Sequence, residues 1–312
     1  MKLSLVIPVY KNEQNIPSLI AAIEGIRAQV QEFEAVFVVD GSPDRSLLEL
    51  RTRLPAAAFE SRLVALSRNF GAFAAIRAGL AEATGQVFAV MAADLQEPPE
   101  LVIGMYQALA GGDYDVAYGV REKREDGILS SFLSNLYWAS YRRIVSPEIP
   151  SGGVDIFGCN DAVRRHVLAL NERNSSLVGL LFWIGFRRIG IPYARAKREI
   201  GKSAWTFSKK WKYMQDSVFS FSDLPISVLL TVGLLGVVFS TMFGLVVLAS
   251  ALLGHIDVPG YAATIIVILF FGMVQLLSIG VIGIYIWRIF ENTKGRPLHI
   301  VMTAEDFGGG NA

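Results

Sequence analysis

The sequence predicts an α/β domain built on a mostly parallel sheet, followed by an amphipathic helix and a two-helix transmembrane hairpin. In the first 120 residues, short apolar runs alternate with helical segments at the spacing of βαβ units. Nearer the C-terminus, the runs 225–253 and 261–287 contain no charged residue. A bilayer core about 30 Å thick needs roughly 20 apolar residues of helix. Both runs exceed that length, and neither has the polar stripe of a helix packed on a soluble core.

The predicted strands and helices alternate along the N-terminal part of the chain. Apolar runs predict strands at 3–9, 35–39, 63–66, 87–91 and 116–119. Helical spacing predicts helices at 16–28, 46–54, 70–83 and 99–110. Ligands bind outside the carboxyl ends of parallel strands, so the polar residues that follow the strands are the candidate site residues. They are Tyr10, Asn12, Glu13, Asp40, Ser42, Arg68, Asn69, Asp94, Gln96, Arg121 and Arg124.

Asp94, which ends the fourth predicted strand in MAADLQEPPE, is a candidate metal ligand. An Asp before a helix is often an N-cap, but the Pro-Pro that opens the next helix lies several residues further on. Mg²⁺ or Mn²⁺ is commonly held by one or two carboxylates together with substrate phosphates. The strand-end context therefore favours a metal site over a helix cap.

Polar residues in three other segments each have two interpretations. Asp40 in VVDGSPD is either a turn residue or an acceptor for a base or ribose, and the residues alone favour neither. Arg121 and Arg124 in YGVREKRED form either a solvated loop or a phosphate site on the same rim as Asp94, with the phosphate site slightly favoured. Asp155 in GGVDIFGCN is a candidate site residue, although a structural turn is favoured without further context.

The segment 206–224 predicts an interfacial helix that leads into the first span. Trp211, Met214, Val218 and Phe221 share one helical face, and lysines 209, 210 and 212 lie elsewhere. Lysines beside Trp and Phe, next to a span, favour the membrane interface over core packing. The connector 254–260 contains no Lys or Arg, whereas basic residues flank the hairpin on both outer sides. The positive-inside rule therefore predicts that both termini and the N-terminal domain are cytoplasmic.

The composition argues against several other classes of protein. The net charge of +1 in 312 residues gives no basic field for nucleic acid. Cys159 is the single cysteine, so a disulfide within the chain is impossible. The three histidines are far apart in sequence, which makes a zinc site improbable.

Four segments, in their order and spacing, resemble family 2 of the inverting nucleotide-sugar glycosyltransferases, which have the GT-A fold: LSLVIPVYKNEQNI, VVDGSPD, LSRNFGAFAAIRAGLAEATG and MAADLQEPPE. The stretch REIGKSAWTFSKKWKYMQDSVFSFSDLPI and the two spans resemble the polyprenyl-phosphate branch, which includes bactoprenol glucosyltransferases and dolichyl-phosphate mannose synthases. The resemblance implies inverting transfer of a hexose, with glucose favoured, from a nucleotide sugar such as UDP-glucose. The implied acceptor is undecaprenyl or dolichyl phosphate, and the implied cofactor is Mg²⁺ or Mn²⁺.

The resemblance also implies roles for particular residues. The implied catalytic set is Asp94, Asp155 and Arg121, with Asp94 also the metal ligand. The implied nucleotide-binding set is Pro8, Tyr10, Glu13, Asp40 and Gln96. The implied acceptor-phosphate set is Arg124, Arg198 and Lys202.

The chain departs from the family pattern at three places. Val39 and Ala92 stand where the family often has acids, so metal binding would depend on Asp94 and the donor diphosphate. The closing loop reads Ser203-Ala204-Trp205 where the family often has Ser-Lys followed by an aromatic residue, and Lys202 is the available substitute for that cation.

The expected organisation places the chain in the inner membrane of a bacterium. It comprises a cytoplasmic GT-A domain (1–205), an interfacial amphipathic helix (206–224), two transmembrane helices (225–253 and 261–287) and a cytoplasmic tail (288–312). A non-catalytic subunit that binds a nucleotide sugar is the alternative function, and homo-oligomerisation is left open. A processive polysaccharide synthase would need more spans to form a channel, and a carrier would need more polar residues inside them.

Overall fold

The computed structural model of the chain describes residues 1–121, 148–150, 154, 156–172, 175–196, 207–222, 224–253 and 260–308. Within these residues the sheet has the strand order β7-β5-β6-β4-β1-β2-β3-β8. The strands are β1 Leu3–Val9, β2 Phe33–Val39, β3 Glu60–Leu66, β4 Val87–Val90, β5 Val116–Arg121, β6 Phe157–Asn160, β7 Arg188–Tyr193 and β8 Val301–Phe307.

The sheet is mostly parallel, as predicted, with two antiparallel strands that the sequence did not reveal. β1, β2, β3 and β4 pair in parallel, and β7 pairs in parallel with β5. β6 is inserted between β4 and β5 and runs antiparallel to both. β8 runs antiparallel to β3 at one edge. Because β6 runs antiparallel to both of its neighbours, β4 and β5 point the same way, and their carboxyl ends share one rim.

Helices cover both faces of the sheet. They are α1 Ile16–Arg27, α2 Ser46–Arg53, α3 Ala72–Glu82, α4 Pro99–Ala110, α5 Asp161–Ala169, α6 Leu177–Trp183, α7 Phe207–Phe221, α8 Leu224–Leu252 and α9 Tyr261–Thr293. On β1, Leu5 and Ile7 face the layer of α1 and α4, whereas Val6 faces the layer of α3, α5 and α6. The central strands are therefore buried on both faces, which explains why they read as continuous apolar runs.

A buried carboxylate links the amino-terminal ends of three strands, at the end of the sheet opposite the candidate site. Glu34 of β2 accepts hydrogen bonds from Ser4 Oγ at 2.5 Å and from the Thr84 backbone N–H at 2.6 Å, and it pairs with Lys2 Nζ at 3.0 Å. Burial opposes ionisation of Glu34, yet the hydrogen bonds outweigh it and hold the pKa of this carboxyl below its ordinary value. The amino ends of β1, β2 and β4 are thus tied together by a charged group with satisfied partners.

In the described part of the chain, two helices are long and apolar enough to cross a membrane. α8 has 29 residues and α9 has 33, which correspond to about 44 and 50 Å of helix. The candidate spans are Leu224–Phe243 and Phe270–Thr293, and neither is buried inside the protein. The side chains of Leu230 and Leu276, for example, are 69% and 72% exposed. Apolar helices left open on this scale are suited to lipid rather than to water.

The chain returns from the hairpin to the sheet, whereas the sequence predicted only a cytoplasmic tail at 288–312. Seven residues, 294–300, connect the end of α9 to β8. β8 then pairs with β3, and Glu305 and Asp306 form ion pairs with Arg51 and Arg62. Segments before and after the hairpin therefore belong to one sheet, so both ends of the hairpin lie on the same side of any membrane that it crosses. This constraint is independent of the lysine and arginine distribution.

The pairing of β8 with β3 predicts a disulfide between cysteines placed at Arg62 and Asp306, which are directly opposite in the register. Opposite Cα atoms in an antiparallel pair are about 4.5–5.5 Å apart, within the range of a disulfide. Oxidation of the Arg62→Cys, Asp306→Cys variant in membranes should give a fast-migrating intramolecular product on a non-reducing gel. Burial raises the pKa of native Cys159 to about 12, so this thiol should not compete.

The matched control for the cross-link is Arg62→Cys with Thr303→Cys, since Thr303 pairs with Ala65 rather than with Arg62. That offset of three residues corresponds to about 10 Å along a strand, and no intramolecular bond should form. Equal cross-linking in the two variants, or disulfides only between chains, would contradict the pairing.

Candidate active site

The polar residues that follow the parallel strands lie along one rim of the sheet. Tyr10 follows β1, Asp40 follows β2, Asp94 follows β4, and Arg121 is the last residue of β5. β6 runs antiparallel to β4 and therefore begins at the same rim. There the Gly119 N–H donates a hydrogen bond of 3.1 Å to the carbonyl of Ile156, the residue just before β6. The rim is the position at which open parallel sheets bind ligands.

The loops after β1 and β2 are joined by four hydrogen bonds. The donors are the backbone N–H groups of Lys11 to Ser42 Oγ (2.8 Å), Asn12 to Ser46 Oγ (3.2 Å), Glu13 to Asp44 Oδ2 (3.1 Å) and Arg45 to Glu13 Oε2 (2.9 Å). The Glu13 carboxylate therefore fixes the second loop, in addition to the nucleotide contact that the resemblance implies. Pro8 and Tyr10 are half-buried beside these loops.

Asp44 organises both loops and was not singled out from the sequence. Its carboxylate accepts hydrogen bonds from Ser42 Oγ at 2.5 Å and from the Ser46 N–H at 3.2 Å. Burial opposes ionisation of Asp44, but these hydrogen bonds outweigh it and keep the pKa of the group below its ordinary value. The signal in the sequence was the Ser-Pro-Asp that ends the VVDGSPD segment, since Asp and Ser side chains commonly bond to nearby backbone in turns.

The Asp40 side chain binds the loop that follows β3. It is 2% exposed and accepts hydrogen bonds from the Phe70 N–H at 2.7 Å, the Gly71 N–H at 2.9 Å and Asn69 Nδ2 at 3.0 Å. Burial raises the pKa of Asp40, and the backbone hydrogen bonds offset only part of that effect. Asp40 therefore holds the start of α3 in place, and its contact with a base stays a prediction.

Gly41 allows the loops after β2 and β3 to touch. Its φ is +56°, a conformation that residues with a Cβ rarely adopt. A Cβ at this position would lie 2.3 Å from the Arg68 carbonyl carbon and 2.4 Å from the Asn69 nitrogen. Only glycine fits here without displacing the neighbouring backbone.

Asp94 stands on a strained turn at the end of β4. Leu95 has a φ of +54°, which is unusual for a side chain of this size. The Asp94 carboxylate accepts a hydrogen bond from the Gln96 N–H at 3.3 Å and is half-buried. The described residues contain no group of three or more His, Cys, Asp or Glu that could hold a metal ion. One strand-end carboxylate fits a Mg²⁺ or Mn²⁺ that takes most of its remaining ligands from substrate phosphates and water.

Gln96 and Glu97 connect the Asp94 turn to the segment after β7. Gln96 Oε1 accepts from Arg195 Nη2 at 2.7 Å, and the Ala196 N–H donates to the Gln96 carbonyl at 2.9 Å. Glu97, which is 2% exposed, lies 3.7 Å from Arg195 Nε. The pairing of Arg195 with Glu97 could not be read from the sequence, because 98 positions separate the two residues.

Of the remaining predicted site residues, the structure describes only Arg121. Arg121 is half-buried and lies opposite Tyr193 of β7 in the register. Arg124, Asp155, Arg198 and Lys202 lie outside the described residues, so their roles stay predictions.

Comparison with known proteins gives a family and full-length relatives. Residues 4–170 match the family described as glycosyl transferase family 2. An uncharacterised glycosyltransferase of Synechocystis sp. is 33% identical over 303 residues, covering 96% of this chain and 95% of that one. Another, from Bacillus subtilis, is 34% identical over 307 residues, covering 96% and 92%. The prophage-derived bactoprenol glucosyl transferase of Shigella flexneri is 31% identical over 305 residues, covering 96% and 97%.

The fold and these matches together define a glycosyltransferase with a GT-A-type sheet flanked by helices. More particularly, the chain belongs to glycosyl transferase family 2. Among solved structures, a glucosyl-3-phosphoglycerate synthase from Mycobacterium tuberculosis aligns with a TM-score of 0.48 at 18% identity, over 70% of this chain and 77% of that one.

The close contact at Gly41 predicts that Gly41→Ala weakens nucleotide binding. An alanine held at positive φ costs about 1–2 kcal/mol, and its Cβ would displace the Arg68–Asn69 backbone. We expect the affinity for UDP, measured by calorimetric titration, to fall about tenfold or more. The matched control is Gly25→Ala in α1, where a Cβ would meet nothing within 4 Å. Unchanged UDP binding in Gly41→Ala would show that these loops do not form the nucleotide site.

Proposed function

We propose that this chain transfers a hexose from a nucleotide sugar to a polyprenyl phosphate in the membrane, with inversion at the anomeric carbon. Glucose and UDP-glucose are the favoured sugar and donor, and undecaprenyl phosphate is the favoured acceptor. The single observation that carries the proposal is the presence, in one chain, of the Asp94 rim and an apolar hairpin that is preceded and followed by strands of the same sheet. A relative named as a bactoprenol glucosyl transferase, similar along 96% of this chain, supports it.

The donor would lie along the rim with its nucleoside beside the loops after β1, β2 and β3. Glu13 and Asp44 fix the first two loops, and Asp40 fixes the third, so these loops are held in place before the donor binds. Such pre-organisation lowers the entropic cost of binding. Asp94 would hold the Mg²⁺ or Mn²⁺, which supplies positive charge against the departing nucleoside diphosphate.

The acceptor makes modest demands on acid–base catalysis. A phosphomonoester has a second pKa near 6, so the lipid phosphate is largely ionised at neutral pH. A strong general base is therefore unnecessary, and direct displacement inverts the anomeric centre. The principal task is to hold two anionic phosphates close together. Arg121 at the end of β5 would supply part of the opposing charge, and the sequence offers Arg124, Arg198 and Lys202 for the acceptor.

The setting of the reaction follows from the topology of the hairpin. The tail strand β8 pairs with β3, so the sheet and the tail would share the cytoplasmic side that the basic residues indicate. The lipid phosphate lies at the surface of the same membrane. We place the enzyme in the inner membrane of a bacterium, with its active site in the cytoplasm.

A non-catalytic subunit that binds nucleotide sugars is the alternative. It is favoured only by Val39 and Ala92, which stand where the family often has acids. The retained rim residues Asp40, Asp94, Gln96 and Arg121 argue against it, and turnover of a donor would separate the two functions.

The proposal predicts that Asp94→Asn abolishes sugar transfer while the fold survives. The substitution removes the strand-end carboxylate but keeps the size of the side chain, so thermal unfolding should be unchanged. Formation of lipid-linked sugar in vesicles with Mg²⁺ should fall about a hundredfold or more. Asp113→Asn, an exposed residue before β5 and far from the rim, should retain full activity. Near-normal transfer by Asp94→Asn would eliminate the proposed metal site.

A further inference from the structure

Helix α7 connects the catalytic domain to the hairpin and contacts both. On one side, Phe221 lies so close to α6 that a Cβ on Gly179 would be 2.4 Å from its ring. On the other side, Asp216 forms an ion pair with Arg288 of α9 at 2.7 Å. The two contacts hold α7 between the sheet layer that contains α6 and the second candidate span.

Arg288 is the first charged residue after the uncharged run 261–287 and lies in the last part of the candidate span Phe270–Thr293. An ionised side chain this close to a bilayer core is costly without a partner. The Arg288 side chain is 12% exposed and that of Asp216 is 17% exposed. Arg288 also donates to Ser220 Oγ at 3.0 Å and lies over the Phe219 ring, 5.4 Å from its centroid. Every one of these partners is on α7.

The ring contacts extend the same interface. Phe219 of α7 packs edge-on against Tyr285 of α9, with 5.4 Å between the ring centroids. Tyr285 lies three residues before Arg288, on the same face of the helix. An apolar side chain at Arg288 would suit a lipid-facing helix equally well. A shielded ion pair adds a defined register between two helices, which is the best-attested use of such pairs.

The catalytic domain is attached to α9 at a second point, through β8. Seven residues after that helix, β8 pairs with β3. The sheet is thus linked to the hairpin through α7 and through β8, on two different elements. With both attachments made, the rim at Asp94 has one orientation relative to α9.

We propose that Asp216 and Arg288 are positioning residues, which fix α7 against the second span and thereby orient the active site toward a phosphate acceptor carried in the bilayer. This inference rests on the proposed function. The pair touches neither donor nor acceptor. Its loss should affect an acceptor that must be reached at the membrane surface and should spare one that diffuses freely to the site.

The experiment compares two acceptors for each full-length variant, reconstituted in vesicles of phosphatidylethanolamine and phosphatidylglycerol. One acceptor is undecaprenyl phosphate in the same vesicles, and the other is a short, water-soluble prenyl phosphate. For Asp216→Asn, we expect the KM for the vesicle acceptor to rise about tenfold, with kcat/KM for the soluble acceptor within twofold of the native value. Asp216→Glu keeps the charge and should restore the native KM.

The chain provides a matched control and an independent second variant. Glu291, near the end of α9, forms an ion pair of similar burial with Lys294 in the connector to β8. Glu291→Gln removes an ion pair from the same region and should leave both acceptors unaffected. Gly179→Leu would push Phe221 away from α6 and should reproduce the Asp216→Asn defect from the opposite side of α7.

Each outcome of this comparison has a defined meaning. An equal loss with both acceptors in Asp216→Asn, or no loss with either, would overturn the positioning role. If Asp216→Asn does not fold, the acceptor dependence of Gly179→Leu decides in the same way. If the native protein transfers sugar to neither acceptor, the proposed function itself fails, and the Asp216 variants are not needed to reach that conclusion.

Discussion

The pairing of β8 with β3 is the contact on which the arrangement of the whole chain depends. Backbone hydrogen bonds between these strands place residues from before and after the hairpin in one sheet. Two long apolar helices must therefore leave the domain and return to the same side. The ion pairs of Arg51 with Glu305 and of Arg62 with Asp306 add to the strand pairing. Because exposed pairs of this kind contribute little to stability, the strand pairing itself carries the attachment.

The same geometry supports the proposed reaction at a membrane. The carboxyl ends of the parallel strands gather Tyr10, Asp40, Asp94 and Arg121 along one edge. The Asp94 turn is bonded through Gln96 to the segment after β7, which leads along the chain to α7. A soluble glycosyltransferase would need only the rim. This chain also fastens the rim to elements that lead into the hairpin.

Much of the fold could be predicted from the sequence, and the reason is burial on both faces. β1 was predicted at its observed bounds, and β2, β3, β4 and β5 within three residues, because their apolar runs are continuous. Three strands escaped prediction because their strand character depends on their neighbours in the sheet: β6, β7 and β8, with sequences FGCN, RIGIPY and VMTAEDF. The candidate site was predictable where a polar residue ends a strand, as at Asp94. It was not predictable where partners lie far apart in sequence, as with Asp40 and Gly71 or Asp216 and Arg288.

The proposed reaction joins a nucleotide-borne sugar to a polyprenyl phosphate in the membrane. The most direct measurement offers the purified full-length protein a panel of nucleotide sugars in vesicles that contain undecaprenyl phosphate. Mass spectrometry then identifies the lipid product, and NMR gives the configuration at its anomeric carbon. We expect one hexose linked through a single phosphate to the lipid, with its configuration inverted relative to the donor. Binding of a nucleotide sugar without any lipid-linked product, or a product with retained configuration, would contradict it.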